Sequence, residues 1–220
     1  MNVVIFGASG MVGQGVLRQC LLDPAVERVL VIGRTSTGRT EHQVEEIVLP
    51  DLTRLSAIEP ALARCDACFF CLGVSASGMD EARYTRVTFD LTLAVARTLA
   101  RLKPGMTFCY VSGAGTDSSE RGRVLWARVK GRTENALLAL PLRATMFRPG
   151  IVVPMHDEVS KTLLYRRFYA LLGGLLRAVL PMLPRTLATS TVKLGRAMLA
   201  VARMELPPPI VESAAIDRLG

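Results

Sequence analysis

Aromatic side chains make up only 5% of the 220 residues, with a single Trp, and no basic run is interleaved with Phe or Tyr. A platform on which single-stranded nucleic acid stacks its bases needs that interleaving, so nucleic acid is set aside as a partner. Histidine is scarcer still: His42 and His156 are the only two, which leaves a four-ligand zinc shell poorly supplied, and no metal site is expected. The 5 cysteines are odd in number and form no framework of the kind that staples small secreted domains. No disulfide is expected, and a reducing cytoplasm is the default compartment. Only Met1-Asn2 stands before the first apolar run, without the basic stretch and cleavage site of a secretory leader. Long apolar runs are missing too. The best, 168–184, is broken by Arg177 and Pro181 and falls short of the roughly 20 residues a membrane span needs.

Half the chain is apolar and 21% is charged, which excludes disorder, collagen and coiled coil as global classes. At 220 residues the chain is expected to fold as one domain, 1–220, with 151–220 as a cap on the substrate side. An excess of 27 Lys+Arg over 19 Asp+Glu, +8 in all, favours anionic partners such as phosphates without choosing among them. The basic residues Arg121, Arg123, Arg128, Lys130 and Arg132 read as attraction for a dinucleotide and solvation of a helix face.

Short β-branched runs at 2–6, 29–32, 44–48, 67–72, 107–112 and 145–148 alternate with helical patterns at 11–22, 53–64, 81–102 and 125–140. That alternation predicts an α/β fold, a doubly wound parallel sheet with covering helices. In 81–102 the set Val87, Leu91, Val95 and Leu99 recurs every four residues, one stripe for the sheet. After Pro149-Gly150 the pattern turns to helices without strands, 161–180 and 192–204, which reads as a small helical C-terminal cap. The apolar stripe at 168–184 is read as a core or dimer-interface helix, with a pocket wall or a membrane-surface helix as the alternatives.

Gly7-Ala8-Ser9-Gly10-Met11-Val12-Gly13 follows the first strand and opens the first helix, the context a phosphate-binding turn requires. Gly7 permits the tight turn, Gly10 lets backbone approach a pyrophosphate, and Gly13 allows helix to pack close on strand. Ser9, Met11 and Val12 complete the loop, and the helix start offers free N–H groups to the anion. An NAD site normally places a carboxylate about 20 residues further on, for the ribose hydroxyls. Here Gly33-Arg34-Thr35-Ser36 holds none. A guanidinium suits a 2′-phosphate, with Thr35 and Ser36 as added donors, so NADP(H) is expected ahead of NAD(H). Arg39 is a weaker second candidate, and Asp51-Leu52 after the third strand is placed to border the adenine.

With these motifs the sequence resembles the short-chain dehydrogenase/reductase superfamily, in the atypical branch that is similar to extended epimerases and to Tat-interacting-protein-type oxidoreductases. The resemblance covers residues 1–155 well and the remainder loosely. It is carried by the glycine loop, Gly33-Arg34, Cys71-Leu72-Gly73-Val74, Val111-Ser112-Gly113-Ala114, Trp126-Ala-Arg-Val-Lys130-Gly131 and Phe147-Arg148-Pro149-Gly150. The resemblance implies that Leu72 and Gly73 pack beside the ribose and nicotinamide, that Ser112 polarises the substrate oxygen, and that Lys130 holds the nicotinamide ribose. It also implies that Pro149 and Gly150 border nicotinamide and substrate.

The family's general acid/base is a Tyr four residues before that Lys, and Trp126 stands there instead. An indole N–H donates a hydrogen bond but does not shuttle protons near neutral pH. Three accounts follow: another group supplies the proton (Lys130 through water, Tyr84, Tyr110 or His156), the reaction needs no phenol, or the protein binds NADP(H) silently as a sensor. Arg148 is read either as a contact for an anion or as a structural ion pair, and Asp157 lies beside His156 at the expected pocket mouth.

Cys65-x-x-Cys68-x-x-Cys71 invites a metal reading, but a spacing of three in a strand sends side chains to opposite faces. Ser112 lacks the elbow motif of a hydrolase. The expected function is NADP(H)-dependent oxidation or reduction of a carbonyl or alcohol on a small molecule in a mostly apolar pocket, with Ser112, Lys130 and Trp126 at the chemistry; a homo-oligomer is possible.

Overall fold

The computed structural model describes residues 1–158, 174, 180 and 183–220. Nearly all of the predicted helix 161–180 and most of the apolar segment 168–184 lie outside the described residues.

β1 (Asn2–Phe6) is apolar almost throughout, the pattern of a strand covered on both faces. β2 (Arg28–Gly33), β4 (Ala67–Phe70), β5 (Thr107–Val111) and β6 (Arg143–Arg148) share it, whereas the edge strand β3 (Val44–Val48) carries the charges of Glu45 and Glu46. With β9 (Ile210–Glu212) they form a seven-stranded sheet in the order β3-β2-β1-β4-β5-β6-β9, parallel at every pairing. Alternate residues of each strand feed two cores. Val3, Ile5, Val29, Val31 and Phe69 pack on one face with α1 (Met11–Leu22) and α6 (Thr191–Ala202). Val4, Phe6, Leu30, Ile32, Phe70 and Phe108 pack on the other with α2 (Glu59–Leu62), α4 (Leu91–Leu102) and α5 (Leu125–Leu138). The expected doubly wound parallel sheet is the fold that forms.

Three local departures have physical causes. The predicted helix 81–102 is α3 (Glu81–Thr85), a π-helical turn over Arg86–Asp90, and α4. The wider turn holds an extra residue and rotates the stripe, so Tyr84 and Thr88 are buried ahead of it while Val87 is only half-buried. The predicted helix 53–64 starts late, because Thr53 is tied into a turn by Asp51 and Pro60 suits only the first turn of a helix. Beyond residue 150 the chain adds β7 (Ile151–Val153), β8 (Ala188–Ser190) and β9 where no strand was expected. Each is three residues long, too short to show a period. β7 pairs with β8, β9 extends the main sheet, and α6 with α7 (Ser213–Leu219) lies on its α1 side.

Because the sheet is parallel, the carboxyl ends of β1, β2, β4, β5 and β6 share one edge. Strand order reverses between β1 and β4, the point at which such sheets open a crevice. Beneath that edge Phe70 stacks on Phe6 and Phe108 at 5.7 and 5.8 Å and lies 6.1 Å from Tyr110. Phe70→Ala is expected to cost about 3–5 kcal/mol of unfolding free energy, read from the urea midpoint at unchanged slope.

Candidate functional site

The glycine loop turns at Gly7, whose φ of +87° is left-handed backbone that side chains disfavour. Gly7 also lies on the end of β4: a Cβ there would meet Leu72 N at 2.7 Å and Leu72 Cα at 2.8 Å. One turn on, a Cβ at Gly13 would fall 2.2 Å from Gly7 O, so α1 presses on the loop with nothing between them. Gly10 N–H closes the turn on Gly7 O at 3.0 Å. Gly10 is the N-cap of α1 and has no side chain with which to cap it, and no acidic residue stands in the first turn. The helix start therefore offers its dipole, with no carboxylate beside it, to an anion. A cradle whose glycines leave the backbone open in this way fits a pyrophosphate. Leu72 is half-buried beside it and Gly73 exposed.

At the end of β2, Arg34 is exposed and forms no ion pair among the described residues. Ser36, expected to offer its hydroxyl to a phosphate, donates it to Glu46 instead. Arg39 is occupied by Glu41 at 3.0 Å. Asp51 is exposed and accepts the hydroxyl and amide of Thr53 at 2.6 and 2.9 Å, which hold its carboxyl below the usual range. Leu52 is buried in the core.

Beyond β5, the loops are knitted by backbone carbonyls. Ser112 is buried, and its N–H and Oγ both donate to Phe147 O, at 2.9 and 3.1 Å. Ala114 N–H donates to Pro149 O at 2.7 Å, and Lys130 Nζ donates to Ser112 O. Trp126 lies against the same loop, its ring 4.0 Å from where a Cβ on Gly113 would stand and 3.6 Å from one on Gly115. Pro149 is buried, and a Cβ on Gly150 would fall 2.1 Å from Leu187 O, so the segment before β8 closes on it. Ser112, Lys130, Trp126 and Pro149-Gly150 thus share one corner.

Two of the other candidates for the proton are closed to solvent. Tyr84 and Tyr110 are about 1% exposed, bonded to Thr88 and Thr133, and burial raises both phenols. His156 is exposed. Arg148 is a structural hub, holding Glu134 through two nitrogens and reaching Glu212 and Ser118; the side chains of Arg148 and Glu134 are 12% and 1% exposed. Cys68 and Cys71 fall on opposite faces of the sheet, and burial pushes the Cys71 thiol up to about 12.

Residues 2–89 match the semialdehyde dehydrogenase NAD binding domain. The mitochondrial protein FMP52 of Eremothecium gossypii is 30% identical over 189 residues, 79% of this chain and 81% of its own length. HTATIP2 of Rattus norvegicus is 30% identical over 160 residues, 71% of this chain and 65% of its own. The UDP-glucuronic acid 4-epimerase of Bacillus cereus, solved with UDP-glucuronic acid and NAD, shares the fold at a TM-score of 0.68 and 14% identity, over 96% of this chain and 76% of that one. The chain belongs to the FMP52 and HTATIP2 branch of the atypical short-chain dehydrogenases/reductases. As a member of that branch it is an NAD(P)-binding Rossmann protein with epimerase-like architecture. No helix among its described residues is long and apolar enough to cross a membrane.

In this branch member the titrating group nearest neutrality at the β5 corner is Lys130. Desolvation brings its ammonium down from the ordinary 10.5 to about 8, against the pull of Glu134 one turn further along α5. The sequence reading missed Glu134, although its spacing of four from Lys130 was visible. A lysine whose folded pKa lies below its unfolded one is held at a cost while charged, and that cost is relieved as pH rises from about 8 toward 10.5. Lys130→Met is therefore expected to melt above wild type at pH 7, with the gap in Tm closing by pH 10 in a paired pH series.

Proposed function

We propose that the protein binds NADP(H) in preference to NAD(H) and uses it to interconvert a carbonyl and an alcohol on a small, mostly apolar molecule. One observation carries the reading: in the cradle of Gly7, Ser9, Gly10, Met11, Val12 and Gly13 the glycines meet β4 and α1 backbone to backbone, and α1 starts without a side-chain cap. Arg34, exposed at the end of β2, supports the 2′-phosphate assignment. In this pose Asp51 and Leu52 border the adenine, Leu72 and Gly73 the ribose, and Pro149 and Gly150 the nicotinamide and substrate. The cofactor supplies the hydride. Lys130 steadies the nicotinamide ribose and, with its pKa near 8, holds and releases a proton at Nζ. Ser112 turns its hydroxyl from Phe147 O to the substrate oxygen, and Trp126 forms a wall or donates a hydrogen bond. The whole chain acts as one nucleotide-binding domain, with 151–220 on the substrate side.

A second reading, a silent NADP(H) sensor, is favoured by the satisfied state of the site: Ser112 Oγ and Lys130 Nζ both spend donors on backbone carbonyls. The 5 free cysteines support a reducing compartment, and the cytoplasm is the proposed one; the mitochondrial names of the fungal relatives are the competing assignment.

Trp126 is the chain's only tryptophan, so its emission reports the pose. NADPH is expected to quench it at concentrations at which NADH has little effect; silence toward both would remove the site. With a panel of ketones and aldehydes, saturable NADPH oxidation that is lost in Ser112→Ala identifies an enzyme, whereas binding without turnover identifies a sensor.

A further inference from the structure

The edge strand β3 carries a carboxylate that the proposed nucleotide site does not use. Glu46 stands in β3 opposite Val31 of β2, and its side chain reaches over the chain leaving β2. It accepts the hydroxyls of Ser36 and Thr37 and the N–H of Thr37, the last at 2.9 Å. Ser36 Oγ accepts in turn from Gly38 N–H at 2.9 Å, and Leu49 N–H pins Gly33 O at 2.9 Å. Burial raises the Glu46 pKa, but the hydrogen bonds from Ser36 and Thr37 outweigh it and hold the carboxyl below its usual range, so the acceptor is ionised and its bonds are of the stronger kind. Arg34 lies between the pinned Gly33 and this knot. It is exposed and has no ion pair among the described residues, whereas Arg39, beyond the knot, is held by Glu41.

We propose that Glu46 is a positioning residue for nucleotide choice: by drawing Ser36 and Thr37 onto β3 it fixes the turn that presents Arg34 to a 2′-phosphate. The inference rests on the NADP(H) reading of this site and deepens it. A loop ordered before binding spares the complex the entropy of ordering it, and that saving goes only to the ligand that uses the loop. NADPH gains from it and NADH does not. The same carboxylate, saturated by three donors, is also withdrawn from the ribose hydroxyls that a free acid at this edge would hold for NADH.

The test measures Kd for NADPH and NADH, by calorimetry and by Trp126 emission, on the full chain in wild type and in Arg34→Ala, Glu46→Ala and Glu46→Gln. The NADPH-over-NADH affinity ratio is expected to fall about tenfold in Glu46→Ala, with NADH affinity little changed, and to add nothing further on top of Arg34→Ala. Glu46→Gln, whose amide oxygen still accepts, keeps most of the ratio. Hydrogen exchange at the Thr37 and Gly38 amides quickens in Glu46→Ala. A ratio that stays constant or rises in Glu46→Ala, an equal loss of both nucleotides, or unchanged exchange at Thr37 overturns the inference while leaving the NADP(H) reading intact. A wild type without NADPH preference, or a preference that survives Arg34→Ala, overturns that reading and the inference with it.

Discussion

The carboxyl edge of the sheet depends on one close approach, that of the Gly7 carbonyl to the first turn of α1. Gly10 N–H bonds to that oxygen at 3.0 Å, and Gly13 passes so near that a methyl group would sit 2.2 Å from it. On its far side the same residue touches the backbone of Leu72. Helix, loop and fourth strand are in this way gathered around one peptide unit, and the position of α1 over the sheet follows from it. What the cradle offers an anion is chiefly backbone N–H groups and the helix dipole, with no acidic residue in the first turn, which suits a diphosphate.

The opposite corner is organised on another principle. There the acceptors are the carbonyls of Ser112, Phe147 and Pro149, and the donors include a serine hydroxyl and a lysine ammonium. Buried polar groups need partners, and this corner satisfies its own before any ligand arrives. A ligand that engages Ser112 must compete with Phe147 O for the hydroxyl, which makes this corner more selective than the glycine cradle. On the proposed function, that contrast separates nucleotide binding, which is built in, from substrate chemistry, which would require a rearrangement of hydrogen bonds.

Much of this was legible in the sequence. Asn2–Phe6 and Met11–Leu22 were read at the bounds the structure gives them, because an apolar strand, three glycines and an amphipathic helix are all local signals. Cys68 and Cys71 could be placed on opposite faces from spacing alone. The π-helical turn at Arg86–Asp90 was not legible, since an inserted residue leaves composition unchanged and shifts only the phase. Nor were the partners of Glu46 and Arg148, whose bonds join residues 9 to 64 positions apart, and the three-residue strands after Gly150, whose pairing is wholly tertiary. The reading placed Arg34 and Ser36 together at a phosphate, and the structure divides them, because a strand that reads as a plain edge brings in a carboxylate the local motif does not contain.

The pair Arg148–Glu134 joins β6 to α5, and through Ser118 and Glu212 it also holds the loop before α5 and β9. Loss of the arginine's charge leaves the Glu134 carboxylate buried without its ion pair, at a cost of order 3–5 kcal/mol, whereas Arg148 without Glu134 keeps Glu212. A chain that abandons the arginine must also neutralise the glutamate or carry that cost.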